Sequence, residues 1–131
     1  MIFKKKKDVA AFEKLTFSIS AMRYHHEYVI TRDGDNATVE FYNGYFRRDE
    51  EGEPEKTVSR SAAEIVKLLK DCGVDRWDGF SGKNPRGMLD GTMFNFRAEL
   101  AGGDSIYASG SNNFPRGYRD FRNALEAMIR D

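Results

Sequence analysis

The two histidines, His25 and His26, are the first candidates for acid–base or metal chemistry in this chain. Neighbouring strand residues point to opposite faces, so the two imidazoles cannot bind one metal ion together without distortion. His26 shares its face with Tyr24 and Tyr28, which favours a packing role. His25 shares the other face with Glu27, and a histidine–carboxylate pair can move protons. Any catalysis is therefore expected from His25 and Glu27, although most such pairs on strands are incidental.

Nucleophiles and metal ligands are otherwise sparse. Cys72 is the only cysteine, and it falls on the apolar stripe of a predicted helix, where a thiol is inert. The chain has no second cysteine or histidine at ligand spacing, no G-x-S-x-G element and no carboxylate pair in contrasting surroundings. A single cysteine forms no internal disulfide, which is typical of a reducing compartment. We expect a cytoplasmic, non-enzymatic protein that uses no metal or cofactor.

The loop over 81–91 is the candidate for a small-ligand or anion site. Lys83 and Arg86 stand among glycines there, and backbone N–H groups in such loops can bind an anion. The phosphate-binding motif G-x-x-x-x-G-K-[ST] requires a helix after it. Here Asn84 and Pro85 follow the lysine, and a strand comes next, so that motif is absent. A looser anion site is the first alternative function.

The stretch FYNGYFRR combines the aromatic rings of Tyr42, Tyr45 and Phe46 with the cations Arg47 and Arg48. Single-strand nucleic-acid binders combine such rings with cations. Three further cations are spaced by three residues near the end of the chain: Arg116, Arg119 and Arg122. Five acidic residues follow the stretch, however, and 21 Lys and Arg balance 21 Asp and Glu. Without net positive charge, nucleic-acid binding is only a weak alternative.

Trp77 is the only tryptophan, and it lies in a stretch rich in glycine. It follows Gly73, where a predicted helix ends, and an apolar residue placed there often folds back on the helix. Val74 and Phe80 would complete that apolar cover. Because tryptophan is also enriched at binding anchors, Trp77 is either a core residue or part of a binding surface. The core interpretation is favoured.

The length of 131 residues predicts a single domain over 1–131. Residues 1–14 form a basic N-terminal segment, but charged residues interrupt the apolar run that a signal peptide needs. Residues 47–57 form a charged loop. No stretch is long and apolar enough to cross a bilayer, so no membrane partner is expected.

Apolar periodicity predicts the elements that position these residues. Strands with period two are predicted over 15–22, 24–30, 37–45, 92–100 and 106–108, with 57–60 as a weaker candidate. The pair Asp33-Gly34 is a hairpin turn signal. Ser61 and Glu64 form a capping box that opens the first helix. The stripe of that helix is Ile65, Leu68, Leu69 and Cys72. A second helix over 117–129 carries the stripe Tyr118, Phe121, Leu125 and Met128.

These elements predict an α+β fold with a single antiparallel sheet of about five strands and two helices packed on one face. Two hairpin-plus-helix units follow one another, over 24–73 and 92–131. The second face of the sheet then exposes an aromatic-rich set: Met22, Tyr42, Phe46 and Tyr107. Uncovered surfaces of this kind mark interfaces. The sequence therefore favours a protein-interaction module, which binds a protein partner or forms a homodimer.

The patterns WDGF, NP and LDG, together with GSNNFP in its hairpin-plus-helix setting, resemble small uncharacterised bacterial proteins without an assigned activity. The likeness covers about the last half of the chain. It implies a cytoplasmic bacterial protein and no mechanism. An inhibitor or immunity-type protein would show the same features as the interaction module, and it stays open as an alternative.

Overall fold

A single sheet organises the chain in a computed structural model, which describes residues 7–21, 24–44, 53–82, 92–111 and 113–130. Six long strands are antiparallel, and a two-residue strand pairs in parallel with the last of them. The strands are β1 (Phe12–Ala21), β2 (Tyr24–Asp33), β3 (Asn36–Asn43), β4 (Lys56–Ser61), β5 (Ser81–Gly82), β6 (Met93–Leu100) and β7 (Ser105–Ser111). The predicted α+β architecture is confirmed, with six antiparallel strands where about five were expected.

The additional long strand is β4, which periodicity predicted only as a weak candidate over 57–60. It alternates between half-buried and exposed residues, and Val58 is its one apolar member on the half-buried side. Arg60 lies on that side too, and its Nη2 donates to the backbone oxygen of Met128 at 3.3 Å. A long charged side chain thus does part of the covering that apolar residues do elsewhere. Because a charged residue stands where an apolar one is expected, the apolar periodicity of β4 is weak.

The strand order is β4-β3-β2-β1-β6-β7-β5. The early strand β1 therefore lies in the middle of the sheet, between β2 and β6. In its register with β6, Phe17 faces Phe96 and Ile19 faces Phe94. Because alternate residues of a strand share a face, this register places the apolar residues of both strands on one side. β1 lies between the two hairpin-plus-helix units: it pairs with β2 of the first unit and, along the β1–β6 seam, with β6 of the second.

Two α-helices cover that apolar side, α1 (Ala62–Asp71) and α2 (Tyr118–Arg130). The predicted capping box is present, because the Ser61 Oγ accepts from the Glu64 N–H at 3.1 Å. The α2 side chain Phe121 is fully buried, and its ring lies edge-on to Phe17 at 5.2 Å and to Phe96 at 5.7 Å. Both helices contribute to one hydrophobic core, so both pack on the same face of the sheet.

The outer edge of β7 is covered by the segment that follows α1. The Tyr107 N–H donates to the Asp78 Oδ1 at 2.9 Å, and the Tyr107 oxygen accepts from the Gly79 N–H at 2.9 Å. Lys7 closes the same edge, with its Nζ 2.6 Å from the Ser105 oxygen and 2.9 Å from the Asp78 Oδ2. These contacts block strand addition at this edge.

Candidate binding surfaces

Among the described residues, the face of the sheet opposite the helices is mostly polar, and the two described members of the expected aromatic-rich set, Tyr42 and Tyr107, lie far apart on it. Tyr42 and Tyr107 do lie on that face, but β3 and β7 are four strand spacings apart. That separation is about 19 Å. The residues of β1 between them are Thr16, Ser18 and Ser20. The two tyrosines therefore belong to different places on the surface, because strand order separates what the sequence pattern seemed to join.

A smaller exposed patch remains on this face, formed by Met93, Asn95, Arg97 and Tyr107 and named here the β6–β7 patch. Tyr107 lies directly opposite Arg97 in the strand register, and the Tyr107 hydroxyl is 3.4 Å from the Asn95 Oδ1. The exposed fraction is 50% for Met93 and 52% for Tyr107. The exposure of two large apolar side chains on a rigid sheet is the most prominent feature of this face.

The sequence pointed to Tyr107 but not to Met93 or Arg97. In an alternating strand the outward residues are normally polar, so Met93 was assigned no role at the start of β6. Only the pairing of β6 with β7 brings Met93, Arg97 and Tyr107 together. The predicted hairpin over 92–131 implies that pairing, but the register that sets Tyr107 opposite Arg97 comes from the structure.

Several residues expected to form sites lie outside the described residues. They are Met22, Tyr45, Phe46, Lys83 and Arg86. The anion site expected over 81–91 is therefore a sequence-based prediction, and so is the aromatic and cationic stretch beyond Tyr42.

His25 and His26 lie on opposite faces, as expected. On the polar face, the His25 Nδ1 is 2.5 Å from the Ser20 Oγ. A serine and an imidazole at this distance form the first pair of a nucleophile–base arrangement. Glu27 lies two residues further on the same strand face, opposite Ser18. Neither residue of this pair lines either of the two cavities described below.

His26 points toward the helices and packs edge-on against Phe41, with 5.2 Å between ring centroids. Burial lowers the pKa of His26 below its usual value, and the nearby Arg122 guanidinium lowers it further. The fold therefore disfavours the protonated form of this imidazole. Among the described residues, no group of three or more His, Cys, Asp or Glu is placed to hold a metal ion.

Trp77 is a core residue, with an exposed fraction of 1%. Its ring lies edge-on to Phe96 at 5.1 Å and to Phe121 at 5.4 Å. The indole Nε1 donates to the Arg116 oxygen at 2.9 Å, which satisfies the one polar atom of the buried ring. The ring is therefore not available as a surface anchor, and it fixes the segment that leads into α2.

A second contact ties the end of α1 to the start of α2. Gly117 has a φ of +91°, and a Cβ built on it would lie 1.9 Å from the Cys72 oxygen. Only glycine fits so close to another backbone. Cys72 is buried, and desolvation raises the pKa of its thiol to about 11. The thiol is therefore protonated at neutral pH, which disfavours its action as a nucleophile.

A cleft of about 910 Å³ opens beside this junction. Its floor includes Cys72 and Trp77. The basic residues that line it are Lys7, Lys70, Arg76 and Arg116, and the acidic ones are Asp8, Asp71, Asp75 and Asp120. Because the two signs balance, the cleft offers no net attraction to a charged ligand.

A smaller cavity of about 470 Å³ lies on the other side of Phe114. Phe114 is 37% exposed, and its ring stacks on Tyr118 with 4.3 Å between centroids and an interplanar angle of 17°. Arg119 and Arg122 line the same cavity with Asn123. Sequence reasoning found these arginines but not the ring beside them, because Phe114 stands in an irregular segment where periodicity says nothing.

Comparisons with protein-family models, curated proteins and solved structures found no match to this chain. Among the described helices, none combines the length and the apolar character needed to cross a membrane. The function is therefore inferred from the surfaces of this chain alone.

Proposed function

We propose that the protein is a non-enzymatic protein-interaction module that binds its partner through the β6–β7 patch. The observation that carries this proposal is the exposure of Met93 and Tyr107, each about half, beside Arg97. Tyrosine, methionine and arginine are enriched at protein interfaces relative to the rest of the surface. Neither helix lies on this face of the sheet.

The scaffold under the patch supports the same function. Both strands of the patch belong to a continuous ladder, and the outer edge of β7 is tied down by Asp78 and Lys7. A side chain on a rigid backbone loses little freedom when a partner covers it. The hydrogen bond from the Tyr107 hydroxyl to Asn95 restrains that ring further. The patch is thus preorganised for contact.

A second copy of the chain is the simplest partner, because closed two-fold dimers are the commonest soluble assemblies. A two-fold axis near Asn95 would place Tyr107 of each copy close to Met93 of the other. A different protein partner would contact the same residues of the β6–β7 patch.

The test is photo-crosslinking in the cells that express the protein. A photoreactive residue replaces Asn95 in the patch or, as the matched control, Thr31, which is exposed on the same face but on β2. We expect an adduct at position 95 that is absent at position 31. The double substitution Met93→Ser and Tyr107→Ser should reduce it about tenfold or more, since central apolar contacts dominate interface energies. Mass spectrometry of the adduct then shows whether the partner is a second copy.

Two results would count against this function. One is an identical set of adducts at positions 95 and 31, and the other is an adduct at 95 that the double substitution leaves unchanged. Both exchanged side chains are already exposed, so the variants should fold, and circular dichroism checks that they do.

A further inference from the structure

We infer that the cavity beside Phe114 binds a ligand in which a nucleobase-like aromatic ring is joined to a phosphate. A free nucleotide and the end of a single-stranded nucleic acid both present this chemistry. The cavity lies at the start of α2, on the helix side of the sheet, and so is separate from the β6–β7 patch. This inference goes beyond the proposed interaction function and does not depend on it.

An exposed ring stacked on the core could support a base. Phe114 is 37% exposed, and the ring beneath it, Tyr118, is 6% exposed. Tyr118 in turn contacts Phe94 at 5.1 Å and Phe17 at 5.7 Å, deep in the core. The exposed ring is therefore held flat against a buried stack. Bases stack on such rings without regard to sequence, because every base has an aromatic face.

The charges of the side chains that line the cavity favour a phosphate group. The described residues that line the cavity include Arg119 and Arg122 and no carboxylate, whereas the larger cleft nearby balances four basic residues with four acidic ones. Arg122 pairs with Glu126, at 3.3 Å from its Nε to the Glu126 Oε1. Arg119 forms no ion pair within the described part of the chain and is exposed. A phosphate is the ligand group that a guanidinium beside an aromatic ring suits best.

The volume of the cavity and its hydrogen-bonding side chains suit the same ligand. The volume of about 470 Å³ falls in the range of small-molecule sites, which is roughly 300–1,000 Å³. Asn123 and Thr92 also line the cavity. An amide both donates and accepts, so it can contact the edge of a base that is stacked on Phe114. Ring, cations and amide thus converge on one cavity.

The experiment is a binding titration with three probes: AMP, adenosine and a fluorescein-labelled (dT)12. Nuclear magnetic resonance follows the first two through the amide signals of Gly117 and Asn123, and fluorescence anisotropy follows the third. We expect AMP and the oligonucleotide to bind and adenosine to bind more weakly than AMP. If the oligonucleotide binds far more tightly than AMP, the ligand is a strand; if AMP binds as tightly, it is a free nucleotide.

Two pairs of substitutions assign the binding to this cavity. Phe114→Leu should weaken it about five-fold or more by removing the stacking ring. Arg119 is exposed, so Arg119→Gln should leave the fold intact. For the oligonucleotide, this variant should reduce the slope of log binding constant against log salt concentration by about 0.7. The matched controls Tyr107→Leu and Arg97→Gln remove an exposed ring and an exposed cation from the β6–β7 patch and should change neither quantity.

Two outcomes overturn the inference. In the first, AMP at millimolar concentration leaves the amide signals of Gly117 and Asn123 unshifted, and the anisotropy of labelled (dT)12 does not rise. In the second, the control pair weakens binding as much as the cavity pair does, which would indicate diffuse charge attraction. Loss of the photo-crosslink at position 95 would leave this inference untouched, so the two proposals fail independently.

Discussion

Replacement of Gly117 by alanine tests the junction between α1 and α2 more sharply than any truncation in the core. Gly117 and Gly73 both have a positive φ, at +91° and +71°. A Cβ on Gly73 would meet nothing within 4 Å, whereas a Cβ on Gly117 would lie 1.9 Å from the Cys72 oxygen and 2.9 Å from the Cys72 carbonyl carbon. Gly73→Ala is therefore a matched control that keeps the backbone cost and leaves out the clash.

The magnitudes follow from these distances. A positive φ costs alanine about 1 kcal/mol relative to glycine. We expect Gly73→Ala to lose about that amount of unfolding free energy. The clash at Gly117 involves backbone atoms, which cannot move aside cheaply, and overpacking of this kind adds about 1–3 kcal/mol. Gly117→Ala should then lose about 3 kcal/mol, a large share of the roughly 5–15 kcal/mol that stabilises a typical domain.

Urea unfolding followed by Trp77 fluorescence measures the difference, because the indole ring is 1% exposed in the fold. For a domain of this size, an extra loss of about 2 kcal/mol lowers the urea midpoint by about 1 M relative to the control. Equal midpoints for Gly117→Ala and Gly73→Ala would refute the close approach of Gly117 to Cys72. A changed slope without a changed midpoint would also contradict it, since the argument concerns the native state.

Three further predictions concern single groups. Burial raises the pKa of Cys72 to about 11 from 9.0, so disulfide reagents at about pH 8 should label the native thiol roughly 100-fold more slowly than the urea-unfolded thiol; similar rates would contradict its burial. Burial lowers the pKa of His26, so the unfolded chain binds the proton more readily than the folded chain. The unfolding free energy should be full above about pH 6.5 and should fall as the pH drops through the lowered pKa. The urea midpoint of His26→Gln should fall less over the same pH range. Asp78→Ala removes the acceptor of the Tyr107 N–H, so hydrogen exchange at Tyr107 should accelerate while Ser109, which donates to Phe80, keeps its protection.

Local signals in the sequence predicted local structure well. The capping box at Ser61 and Glu64 is present with its hydrogen bond, and the stripe residues Ile65 and Leu69 are fully buried. The second helix begins at Tyr118, close to the expected residue. These features depend on residues three or four positions apart, so the chain reveals them without knowledge of the fold. The place of Trp77 after Gly73 predicted its burial, but the rings that pack against it, Phe96 and Phe121, are distant in the sequence.

The candidate sites required information that no local pattern holds. The face that Tyr42 shares with Tyr107 was predicted, but their separation depends on β1 and β6 standing between them. Met93 acquires its place in the β6–β7 patch through pairing with β7, and Phe114 lines its cavity through a stack on Tyr118. Strand order and loop placement arise from the collective fit of the core, so residue spacing alone could not give them.

The central position of β1 has a consequence for how the chain is made. Phe17 and Phe96 face each other across the β1–β6 seam although about 80 residues separate them in the chain. During synthesis β1 can pair early with β2, but its other side stays open until the ribosome has released β6. Until β6 is available, the apolar side chains of β1 lack their packing partners, and a chain in this state is prone to aggregate or to bind a chaperone.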